Sequence, residues 1–223
     1  MPMVGDYIVN AALYAPPLLL GVIAHEVAHG WTAEKLGDPT ARLSGRITLN
    51  PLPHIDLIGT VLLPITLILL RSPFLFGWAK PVPVQFANLR GGRRGMAIVA
   101  LSGPVTNLLL AAASALVYHL LLSAYQQGWI TEQSGLIRIT EPLFLMARIS
   151  VTFNLVLMVI NLLPIPPLDG GRVMVGLLPY SWGSQLERME NYGMLIVLLL
   201  IGTGLWGYIV QPVLSIFLRL FLG

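Results

Sequence analysis

The chain has 223 residues, of which 56% are hydrophobic and only 10% charged, with a net charge of +3 and a mean hydropathy of +0.78. That balance excludes a soluble globular domain and fits a polytopic membrane protein with several spans of about twenty residues each. The basic residues lie in short segments beside apolar runs, a topology signal rather than a nucleic-acid surface, and the absence of cysteine removes disulfides, thiolate metal sites and cysteine nucleophiles.

Met1 to Asn10 carries no Lys or Arg, so it lacks the basic start of a signal peptide and the first apolar run is expected to be retained. That run extends from Tyr7 to Leu36, is interrupted at Pro16-Pro17, and stops at Gly37-Asp38-Pro39. Its C-terminal half holds His25-Glu26-Val27-Ala28-His29, an H-E-x-x-H motif. On a helix, residues four apart share a face, so both imidazoles can bind one metal while Glu26 projects beside them as a base for an attacking water. With no thiolate available, zinc on nitrogen and oxygen ligands is the natural candidate, one ion per chain. An ionisable cluster inside an apolar run points to a functional site rather than to packing.

Ala41 to Asp56 is too polar to span and contains the alternating run Arg46-Ile47-Thr48-Leu49, which predicts a short strand or hairpin. Leu57 to Leu70 is apolar but, at about fourteen residues, short for a crossing, so a re-entrant segment is expected. Arg71 to Arg94 gathers Lys80, Arg90, Arg93 and Arg94, and its Pro81 to Phe86 stretch predicts a second extended segment; this loop should be cytosolic.

Met96 to Tyr125 is long enough to cross, with Gly103-Pro104 near its start as a kink, and Gln126 to Glu141 follows on the far side. Leu143 to Leu163 returns and breaks at Pro164-Ile165-Pro166-Pro167-Leu168-Asp169-Gly170-Gly171. The last apolar run, Met194 to Leu218, contains Gly202, Gly204, Gly207 and Pro212 and reads as one tilted helix or two shorter pieces. The fold class is therefore a mainly α polytopic transmembrane bundle with short membrane-associated strands and a re-entrant segment. It forms one domain over 1–223, with a catalytic core at about 7–172 and a C-terminal transmembrane segment at about 194–222.

Catalytic zinc takes three protein ligands and leaves a position open, so a third must join His25 and His29. Asp169, His54 and Asp56 are the candidates near the right depth, whereas His119 falls towards the opposite side. If the basic loops face the cytosol, the end of the fourth run meets the motif, and Asp169 has the best context: a carboxylate in a helix break that turns back into the protein. A donor to the developing oxyanion must come from Asn161, Asn107 or Asn154, and Asn161 is favoured because it precedes the break by about two turns. The extended stretches at Arg46 to Leu49 and Pro83 to Phe86 offer strand addition to an unwound substrate. A metal-transit site is the competing reading, and Glu26 discriminates: transport needs ligands and an exit path, whereas hydrolysis needs a base beside an open position.

Together, His25-Glu26-Val27-Ala28-His29-Gly30 and Asn161-Leu162-Leu163-Pro164-Ile165-Pro166-Pro167-Leu168-Asp169-Gly170 resemble the motifs of the site-2 protease family of intramembrane zinc metalloproteases. Gly103-Pro104-Val105-Thr106-Asn107 is similar to that family's G-P-x-x-N element, and Asn50 to Asp56 and Phe76 to Pro83 look like its short bacterial and archaeal branch. The resemblance implies zinc on His25, His29 and Asp169, Glu26 as base, and proteolysis of single-span membrane proteins or remnant signal peptides near the cytosolic side of the cell membrane. At this length a form without PDZ or CBS domains is expected, so regulation would fall to a second copy of the chain or a separate partner.

Overall fold

The computed structural model describes residues 4–70, 77–131 and 135–223. Outside them lie the first three residues, the start of the expected basic loop (71–76, including Phe76) and three residues of the expected far-side segment (132–134).

Three long helices carry the architecture. Helix α1 spans Val4–Lys35 and runs through Pro16 and Pro17 without breaking. After the short α2 (Thr40–Leu43), a 3-10 turn (Leu52–His54), a π-helical stretch (Leu57–Leu62) and α3 (Leu63–Leu69), the chain enters α4, Arg93–Gln126. Helix α5 follows at Ile137–Asn161. Each of the three is apolar and long enough to cross a bilayer; the shortest, α5, has 25 residues and so reaches about 38 Å against a hydrocarbon core of about 30 Å. Large apolar side chains such as Leu109, Leu116 and Leu120 of α4 stand more than 60% exposed, a surface suited to lipid rather than water.

Helices α1, α4 and α5 pack on one another, and α6 (Asp169–Leu177) lies against α4. Small residues permit the close approach: Ala111 on α4 and Ala33 on α1 are fully buried. One apolar cluster joins Ala111, Val151 and Leu155 to Val210 and Leu214 of α9 (Leu205–Leu222). A second gathers Ala33, Leu89, Met96, Val99 and Val175 at the end of the bundle where α6 docks. Helices α7 (Tyr180–Arg188) and α8 (Glu190–Gly202) lead to α9. The last apolar run is thus two helices, separated at Gly204, whose left-handed φ of +75° favours glycine.

The expected strands do not form among the described residues. Between Arg46 and Leu49 the backbone turns locally: Arg46 N–H donates to Ala41 O, and Thr48 O bonds to the His54 ring at 2.9 Å. The stretch 81–85 is extended but cannot build a ladder, because Pro81 and Pro83 have no N–H and the amides of Val82 and Gln85 donate to carboxylates instead. The expected short apolar segment is helical over Leu57–Leu62 and Leu63–Leu69, with Asp56 Oδ1 capping its start by accepting from Ile58 N–H and Gly59 N–H.

Candidate metal centre

His25 and His29 lie one turn apart on α1, and their Nε2 atoms approach to 3.0 Å. Asp169, the first residue of α6, brings Oδ2 to 3.0 Å from His25 Nε2 and 3.3 Å from His29 Nε2. His25 and Asp169 are each only 7% exposed. The local sequence makes this approach feasible: a Cβ on Gly170 would strike the Leu162 and Leu163 carbonyls, and one on Gly171 would strike the Pro166 backbone, so only the Gly-Gly pair lets α6 start so near the end of α5.

The far side of each ring is occupied. His25 Nδ1 lies 2.6 Å from Asn107 Oδ1, and His29 Nδ1 lies 2.8 Å from the Val99 carbonyl. Acceptors there hold the Nδ1 protons, which turns both Nε2 atoms towards Asp169 Oδ2. Two ring nitrogens and a carboxylate oxygen converging at 3.0–3.3 Å in a buried site fit a cation. Tetrahedral zinc with ligand bonds near 2.0 Å sets its ligands about 3.3 Å apart, so this set matches zinc in donor type and spacing. Gly103 on α4 faces the same point: a Cβ there would sit 2.5 Å from His29 Nε2 and 2.6 Å from His25 Cε1.

A cavity of about 420 Å3 opens beside this set and is lined by the same three residues together with Glu26, Asn161 and Val82. Glu26 Oε2 accepts the Val82 backbone N–H at 2.8 Å. Asn161 is on the cavity wall with one amide hydrogen committed to Leu157 O at 3.0 Å. The extended stretch that carries Val82 is fastened along its length. Arg46 Nη2 donates to Lys80 O at 2.6 Å, Lys80 N–H donates to His54 O, and Gln85 N–H donates to Asp38 Oδ2 at 2.7 Å. Burial opposes ionisation of Asp38, but hydrogen bonds from Thr40, Gln85 and Asn88 outweigh it and hold the carboxyl below its usual range.

All five sequence-predicted site residues, His25, Glu26, His29, Asn161 and Asp169, therefore meet on one cavity. The other ligand candidates do not: His54 is buried against Thr48, Asp56 caps a helix, and His119 bonds to Phe221 O at the other end of α4. Sequence reasoning missed the roles of the Val99 carbonyl, the Val82 amide and Gly103, of which only the glycine carries a side-chain signal.

A buried set of two nitrogens and one oxygen, beside a carboxylate and open on a cavity in an apolar helical bundle, is the architecture of a metal-dependent hydrolase. Comparison with known proteins makes the class specific. The profile of Peptidase family M50 matches residues 88–202. The chain is 36% identical over 198 residues to "Putative zinc metalloprotease YwhC" of Bacillus subtilis, covering 89% of this chain and 84% of that protein. It is 29% identical over 189 residues to "Putative zinc metalloprotease Rip2" of Mycolicibacterium smegmatis, covering 83% of this chain and 64% of that protein. A Rip2 of Mycobacterium tuberculosis is 31% identical over 156 residues, 52% of its length. No solved structure matches. The chain belongs to peptidase family M50; it is a zinc metalloprotease and a membrane protein.

Proposed function

We propose that the protein cuts single-span membrane proteins or remnant signal peptides within or near their membrane segments, at the cytosolic side of the cell membrane. His25, His29 and Asp169 hold the zinc. The observation that supports this reading best is the position of the converging triad and Glu26 in the same bundle of bilayer-length helices. Charge supports this orientation: Lys35, Lys80, Arg90, Arg93, Arg94 and Arg172 lie in the segments at the end that holds the site, the pattern of a cytosolic face.

Zinc, when bound, supplies a Lewis acid that polarises the scissile carbonyl and acidifies water. Glu26 accepts the proton of the attacking water and passes it to the leaving amine nitrogen. The Val82 N–H keeps the Glu26 carboxylate aimed into the cavity. Asn161 keeps a second amide hydrogen free of the Leu157 bond for the developing oxyanion. Val82 and Val84 line the cavity beside Glu26, so an unwound substrate lies against this stretch as its scissile bond reaches Glu26.

The test is membrane proteomics of cells carrying wild-type or Glu26→Gln protein, followed by cleavage of an accumulated single-span protein by the purified enzyme in vesicles. Accumulation of uncut substrates and zinc retention in Glu26→Gln are expected. Full cleavage by purified Glu26→Gln protein overturns the assignment.

A further inference from the structure

The Asn107 amide that meets His25 is one link in a buried chain across three helices. Asn107 is fully buried on α4, and its Nδ2 donates to Gly21 O of α1 at 3.1 Å and to Asn154 Oδ1 of α5 at 2.8 Å. Asn154 is 1% exposed, and its own Nδ2 donates to the Ser150 carbonyl at 2.9 Å and to Ser150 Oγ at 3.2 Å. Gly21 makes room for it: a Cβ there would sit 2.9 Å from Asn154 Oδ1.

The chain has a direction, because backbone carbonyls only accept. Ser150 O fixes the nitrogen of Asn154 on its side and therefore turns Asn154 Oδ1 to Asn107. Asn107 must answer with its NH2 group, whose second hydrogen goes to Gly21 O, so its oxygen is left for His25 Nδ1. Reversing the Asn107 amide would set its oxygen against two acceptors, Gly21 O and Asn154 Oδ1, and its NH2 against the His25 ring. For groups this deeply buried each unmatched polar contact carries its full desolvation cost. His25 is thereby held with its proton on Nδ1 and its Nε2 aimed at Asp169 and His29.

We propose that Asn154, acting through Asn107, is a positioning residue that sets the tautomer and aim of His25. The inference rests on the reading of His25 as a zinc ligand, and the readouts separate the two. The first uses the full-length chain in liposomes with 15N-labelled histidine, where only four histidines need assignment by single substitution. At a pH where the ring is neutral, wild-type protein should show His25 as the Nδ1–H tautomer alone, and Asn154→Leu should show a mixture. The second is zinc affinity by chelator competition, with the Co2+ spectrum of the substituted site. Outer partners of a metal-bound histidine typically change affinity by about 10- to 100-fold, so Asn107→Leu should fall in that range and Asn154→Leu towards its lower end. Ser114→Ala, which loses only the hydroxyl contact to Ser150 Oγ at 2.7 Å, should bind zinc as wild type does.

An Nε2–H tautomer or a mixture in the wild-type protein overturns the proposal, and this readout holds even where a leucine variant does not fold. Wild-type affinity and Co2+ spectrum in Asn154→Leu overturn it as well. An equal loss of affinity in Ser114→Ala would mean helix packing rather than directional orientation, and it too would overturn the proposal. His25→Ala with undiminished zinc affinity sinks the ligand reading instead and leaves the tautomer measurement to decide the relay.

Discussion

The Val82 backbone N–H donates to Glu26 Oε2 at 2.8 Å, so the residue read as the general base is held by a loop from between α3 and α4 rather than by its own helix. The neighbours on either side, Pro81 and Pro83, have no N–H, which makes Val82 the donor that the stretch offers at this point. Val82→Pro removes that donor at a position that precedes a proline and already favours extended backbone. A hydrogen bond to a charged group contributes about 1.5–3 kcal/mol, so its loss should slow single-turnover cleavage by about tenfold or more. Zinc content should stay at one ion per chain. Unchanged cleavage in a zinc-loaded Val82→Pro protein would show that this bond does not orient Glu26.

Gly103 faces both metal-directed rings, and an added methyl would overlap His29 Nε2 and His25 Cε1 at 2.5 and 2.6 Å. Neither ring can retreat freely, because Asn107 and the Val99 carbonyl hold their far sides. Gly103→Ala is therefore expected to insert into the membrane and to purify without zinc, as measured by metal analysis after detergent extraction. A stoichiometric zinc content would show that the rings do not occupy these positions.

The helical spans and the histidine pair were legible because each rests on a pattern within one stretch of chain: apolar length for the spans, four-residue spacing for His25 and His29. Asp169 was legible for a different reason, since topology put the end of the fourth apolar run beside the motif. The strands failed because alternation at Arg46 to Leu49 and prolines at 81–83 indicate extended backbone but cannot say where its amides go. Here they go to Glu26 and Asp38, from Val82 and Gln85. Asn107 was visible as a polar residue in an apolar helix, yet its partner could only come from the packing of α1, α4 and α5. The Val99 carbonyl, a backbone group, left no mark in the sequence at all.

Asp38 ties the stop of α1 to the loop that carries Val82, through Gln85 N–H on Oδ2 and through Thr40 and Asn88 on Oδ1. Its carboxyl lies below the usual range in the folded chain. The ionised form is thus favoured by folding, so its contribution is complete above about pH 4, the unfolded value, and is lost as pH falls below that towards the folded value. Proteolytic nicking between Lys80 and Arg90 should therefore rise on acidification from pH 5 to pH 3. In Asp38→Asn it should be high already at pH 7 and change less with pH. Equal nicking of the two proteins throughout that range would remove Asp38 as the anchor of the loop.

The chain has no cysteine, so single cysteines can report membrane sidedness without background. Arg94 and Gln127, both exposed, lie at opposite ends of α4, whose 34 residues extend about 51 Å and exceed the hydrocarbon core. Arg94 belongs to the basic end, which holds the metal-directed residues; Gln127 follows the far end, where Arg138 is the next basic residue in the sequence. With the site facing the cytosol, Gln127→Cys should react with an impermeant maleimide in intact cells, and Arg94→Cys only in inverted vesicles. Labelling of both from one side would mean that α4 does not cross. The reverse pattern would keep the crossing but move the cavity to the outer face, and with it the pool of substrates to those exposed there.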